Sequence, residues 1–119
     1  MHVRKLSPDR TYTLQRGDDE TLVLNFSNYT PTQGDTVTFT VREWLDAPVL
    51  LQKAVDEPRQ ITPDSGDPYW QYVVEIDAED TATMAPGIYV YDIQITWGGT
   101  GKITTIIPPS RLLLRGEVT

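Results

Sequence analysis

From Ile88 to Trp97 the chain reads Ile-Tyr-Val-Tyr-Asp-Ile-Gln-Ile-Thr-Trp. Tyr89, Tyr91, Ile93, Ile95 and Trp97 fall on one side of a period of two, with Val90, Asp92, Gln94 and Thr96 on the other. Strict alternation of this kind marks a strand with one buried face. Gly98-Gly99-Thr100-Gly101 supplies a hairpin, and Lys102 to Ile107 returns. Proline cannot donate to a ladder, so Pro108-Pro109 predicts a bend or sheet switch before a last short strand, Arg111 to Arg115. Upstream, Asp77 caps a helical turn over Ala78 to Met84, the one helical signal, which Pro86-Gly87 cuts off. Before it, Tyr69 to Ile76 places Trp70, Tyr72, Val74 and Ile76 on a common face.

The opening half follows the same grammar. Tyr12 to Gln15 and Thr21 to Phe26 flank Arg16-Gly17-Asp18-Asp19, which reads as a hairpin joining neighbouring strands. Thr36 to Trp44 turns Val37, Phe39 and Val41 inward and its threonines outward, which leaves Trp44 on the water side unless a bulge redirects it. Val49 to Val55 has ambiguous parity and is assigned to a sheet edge. Pro58, Pro63 and Pro68 permit at most a short strand near Ile61. About eight short strands without βαβ spacing predict an all-β fold, a two-sheet antiparallel sandwich of immunoglobulin-like topology, with a jelly roll or small barrel as the alternative. A helical turn leading into Tyr89 and Tyr91 matches the order around a tyrosine corner. Tyr89 would then bond a backbone group, and Tyr91 would take the core position that cysteine holds in antibody domains; two ordinary core aromatics are the equal alternative.

The 119 residues and 13.4 kDa accommodate one domain, residues 1–119. A net charge of −7 lacks the cationic surface that nucleic-acid binding depends on, and no apolar run is long enough for a helical membrane span. The absence of cysteine excludes disulfides, thiolate metal sites and cysteine nucleophiles. His2 is the only histidine, so a Ser-His-Asp mechanism is not expected. Glu75 with Asp77 or Asp92 is the best carboxylate pair for a glycosidase, although a solvated sheet face accounts for them more simply. Asp64 to Asp67 and Asp77 to Asp80 lack calcium-loop spacing, and neither a metal nor another cofactor is expected. Trp44, Trp70 and Trp97 raise a second possibility, a carbohydrate-binding module. Parity sends Trp70 and Trp97 toward the core or its rim and leaves Trp44, with Arg42, as the candidate interface pair.

Gly87 to Ile95, the glycine hairpin, Lys102 to Ile107, Pro109-Ser110 and Glu117-Val118-Thr119 together resemble the closing half of immunoglobulin-like modules in structural proteins of tailed phages and prophages. The likeness extends to the N-terminal module of baseplate upper proteins and related tail and fibre components. Residues before Pro86 fit more loosely, through Arg16-Gly17-Asp18 leading into a strand, and Pro108-Pro109 stands where such modules often carry a glycine turn. The resemblance implies a non-enzymatic protein that assembles with other virion proteins in a baseplate, tail, fibre or head decoration. It further implies homo-oligomers such as trimers. With no signal-peptide pattern in Met1 to Pro8, it implies synthesis in the host cytoplasm and residence in the virion.

Overall fold

Runs of β-branched and aromatic residues between glycine, proline and aspartate clusters become nine strands and one helical turn in the computed structural model, which describes residues 2–3 and 11–116. In chain order these are β1 (His2–Val3), β2 (Tyr12–Gln15), β3 (Glu20–Phe26), β4 (Thr36–Arg42), β5 (Val49–Val55), β6 (Arg59–Ile61), β7 (Tyr69–Ile76), α1 (Ala78–Thr81), β8 (Gly87–Thr96) and β9 (Ile103–Arg115). One sheet has the order β1-β3-β7-β6 and the other β2-β9-β8-β4-β5. This is immunoglobulin-like connectivity, with the opening strand divided between the two sheets and β5 extending the second.

That division corrects two expectations. Because β2 and β3 lie in different sheets, Arg16 to Asp19 is a connection between layers and not a hairpin. Because β2 runs alongside the chain's last strand, the β2–β9 pair is parallel, Tyr12 opposite Leu112 through Gln15 opposite Arg115, within an otherwise antiparallel sandwich. A third correction concerns Pro108-Pro109, which neither bend the chain away nor end the strand. Tyr91 pairs with Ser110 and Ile93 with Ile107, so both prolines bulge opposite Asp92. β2 covers β9 only from Leu112 onward, so the prolines occupy a stretch with a ladder on one side alone. Helix α1 is also shorter than expected, closing at Thr81.

Alternation determines the core. Val37, Phe39, Val41, Tyr91, Ile93 and Ile95 of one sheet are buried against Leu22, Leu24, Tyr72, Val74 and Ile76 of the other. Tyr12, Phe39 and Tyr91 form a ring cluster with centroids 5.9–6.2 Å apart. Tyr91 is fully buried, and the Tyr89 hydroxyl donates to the Ala85 carbonyl across the corner that leads into β8.

At the opposite end, one carboxylate joins two loops. Asp35 accepts from the Thr32 N–H (2.9 Å), the Tyr29 hydroxyl (2.7 Å) and the Gly98 N–H (2.8 Å). Since the Tyr29 proton goes to Asp35, Tyr72 supplies the proton of the 2.7 Å Tyr29–Tyr72 bond. Burial alone would raise the Asp35 pKa, but the hydrogen bonds from Thr32, Tyr29 and Gly98 outweigh it and hold the carboxyl below its usual value. Position 98 admits only glycine, because a Cβ there would lie 2.0 Å from the Gln33 carbonyl oxygen.

Ile93→Ala is expected to lower the unfolding free energy by about 2–5 kcal/mol in urea titration, as for a buried isoleucine whose cavity cannot collapse. Asp35, with its folded pKa depressed, contributes fully above its unfolded value near 4 and loses that contribution as pH falls through the folded value. The difference in urea midpoint between the wild type and Asp35→Asn should therefore be large at pH 7 and shrink below pH 4.

Candidate functional site

The outer face of the five-stranded sheet changes character along its length. Near the Asp35 clamp it is a band of Thr36, Thr38, Gln94, Thr96 and Thr105, aligned by register across β4, β8 and β9. Toward the other end it becomes apolar, through Val90 and Ile88 of β8 and the connection between β4 and β5.

A bulge builds that connection. Val41 pairs with Leu51 but Arg42 pairs with Val49, so Leu50 is an extra residue on β5 and β4 ends at Arg42. Trp44 therefore stands beyond the strand, and parity does not govern it, contrary to the expected strand through Trp44. The Ala47 N–H donates to the Trp44 carbonyl (3.0 Å), Asp46 takes a positive φ of 71°, and Ala47 is buried. Residues 43–48 thus fold back over the sheet and bring Leu45 beside Val90 and Pro109. Trp44 and Leu45 remain 58% exposed, and Ile88 is 63% exposed.

Two shallow clefts flank Leu45. One, about 380 Å³, is lined by Thr40, Arg42, Asp46 and Asp92. The other, about 330 Å³, is lined by Ile88, Tyr89 and Arg111. Thr40 is buried here although its parity faces outward, and it accepts a hydrogen bond from the Gln52 side-chain amide (3.1 Å). The Arg42 guanidinium lies 3.9 Å from the Asp92 carboxylate. Burial pushes the Asp92 carboxyl above its usual pKa, and the attraction of Arg42 offsets only part of that rise.

The other sequence candidates disperse. Glu75 accepts from the Thr21 hydroxyl (3.0 Å) on the outer face of the four-stranded sheet, across the sandwich from Asp92, so these two carboxylates do not meet. Asp77 precedes α1, 3.9 Å from the Lys53 ammonium, and Asp80 is 2.8 Å from it. Trp97 donates to Thr104 (2.8 Å) and, like Trp70, sits at the Asp35 end of the sandwich. Trp44 is separated from that end by the length of β4, about 20 Å, so no platform of three tryptophans forms. Arg16 donates to the Ala82 carbonyl (2.7 and 3.2 Å) and Gly17 to the Thr81 hydroxyl (3.0 Å), which makes Arg16-Gly17-Asp18 a strut onto α1. Among the described residues no group of three or more histidine or acidic side chains converges as metal ligands. The side chain of His2 and the segment Glu117-Val118-Thr119 lie outside the described residues.

Sequence reasoning missed Leu45, Val49, Leu50 and Ile88 as exposed apolar residues. The consecutive Val49-Leu50-Leu51, which breaks alternation, was the available signal of a bulge. No protein family model matches the chain, and no curated protein matches it.

Burial raises the Asp92 pKa although Arg42 at 3.9 Å offsets part of the rise, so the ionised carboxylate is less favourable in the folded protein than in the unfolded chain. Asp92→Asn is expected to melt at or above the wild-type temperature at pH 7, as measured by thermal unfolding monitored by circular dichroism.

Proposed function

We propose that this domain is a non-enzymatic assembly module of a tailed-phage or prophage particle, joined to another virion protein through the outer face of its five-stranded sheet. The exposed Trp44-Leu45 pair beside Ile88 carries this reading. Large rigid rings and aliphatic groups displayed on a sheet bury area at low entropic cost, which is how interface anchors work, and scattered apolar exposure does not concentrate in this way. Arg42, held beside Asp92, supplies a polar margin to the contact. The resemblance of Gly87 to Ile107 to closing strands of baseplate, tail and fibre modules supports a virion setting over other assemblies. Partners are accordingly other virion proteins and further copies of this chain.

Mass spectrometry of purified particles from the bacterium carrying the gene tests the reading. The chain is expected at a fixed copy number per particle, and Trp44→Ala should lower its incorporation at least tenfold while leaving its melting temperature unchanged, as loss of an anchor costing more than about 1.4 kcal/mol implies. Particles that lack the wild-type chain would refute the proposal.

A further inference from the structure

Two carboxylates of this domain are withdrawn from water to the same degree and are supplied with donors very differently. The Asp80 side chain is 16% exposed and accepts from the Lys53 ammonium (2.8 Å) and the Asp77 N–H (2.7 Å). The Asp92 side chain is 17% exposed, yet among the described residues no hydrogen bond reaches it, and Arg42 stands off at 3.9 Å. A carboxylate this desolvated is normally met by donors, because its charge is costly without them. None comes from β9, where the bulge of Pro108-Pro109 lies opposite with neither an N–H nor a polar side chain to offer. Asp92 instead lines the 380 Å³ cleft beneath Leu45.

We propose that this cleft receives a lysine side chain of the virion protein to which the domain is joined, with its stem against Leu45, Val90 and Pro109 and its ammonium on Asp92. This deepens the assembly reading above, on which it rests, by naming the polar contact that accompanies the Trp44-Leu45 anchor. Charge selects a cation: Asp46 and Asp92 line the cleft against the single guanidinium of Arg42, which leaves one negative charge unbalanced. The apolar residues beside those carboxylates suit a side chain that buries methylenes and keeps a charged head. Lysine fits better than arginine. A guanidinium needs a planar approach to the carboxylate, and Arg42 already stands beside it, whereas an ammonium is compact and turns its three donors to whatever side is open. Lys53 meets the equally withdrawn Asp80 in this way within the domain itself.

Nuclear magnetic resonance titration of the whole chain with N-acetyl-lysine methylamide tests the site. Saturable shifts are expected at the amides of Val90 and Asp92, about tenfold weaker binding in Asp92→Asn, and none for the norleucine analogue, which keeps the stem without the ammonium. Asp92→Asn should therefore lose binding while melting at or above the wild type, a combination that a purely structural carboxylate would not produce. In purified particles a carbodiimide, which couples a carboxylate directly to an amine, should link residue 92 to a lysine of another virion protein. Absence of saturable shifts, equal binding by Asp92→Asn or by the norleucine analogue, or links only between copies of this chain would overturn the proposal. A chain present in particles but unlinked at residue 92 would overturn the lysine contact and leave the assembly reading standing. A chain absent from particles would overturn the assembly reading, while saturable binding of the lysine probe would leave the site in place.

Discussion

Two sheets with no disulfide between them stay together because their facing side chains alternate in register, and Tyr12, Phe39 and Tyr91 form a buried ring cluster within that contact. In antibody domains a disulfide and a tryptophan share this task. Here rings on β2, β4 and β8, with Tyr12 edge to face against both Phe39 and Tyr91, share the core with aliphatic residues of β3 and β7. Since a one-residue slip would invert every side chain, the same alternation that builds the core also fixes the register of each strand.

The ends of the sandwich are closed by different chemistry. At one end the Asp35 carboxylate ties the segment before β4 to the hairpin after β8, with Gly98 admitting the close backbone approach. At the other, α1 ties the sheets together: Asp19 accepts from the Ala78 N–H (2.8 Å), Arg16 reaches the Ala82 carbonyl, and Lys53 reaches Asp80. The Asp35 closure satisfies a buried carboxylate that would otherwise be costly to desolvate, whereas the contacts at α1 are largely exposed.

Irregularities, and not the regular ladder, create the exposed apolar surface. The bulge at Leu50 ends β4 early and sends residues 43–48 back over the sheet; the proline bulge opposite Asp92 opens the neighbouring cleft. Trp44, Leu45 and Ile88 are left exposed as a result.

By itself the sequence determined the elements: the period of two in β4, β7 and β8 identifies the residues that are buried, the proline clusters delimit β6, and Val49 to Val55 is legible as an edge. Trp44 and Arg42 could be singled out, but not the patch around them. Tertiary structure alone decided that β2 leaves β3 for the opposite sheet, that β9 passes through two prolines unbroken, and that Asp35 links two loops 63 residues apart. The physical reason is one of range. Alternation and proline chemistry act on adjacent residues and leave their mark in short windows, whereas sheet membership, bulge placement and a buried hydrogen-bonded carboxylate depend on partners distant in the chain, whose contribution exists only once the two layers have met.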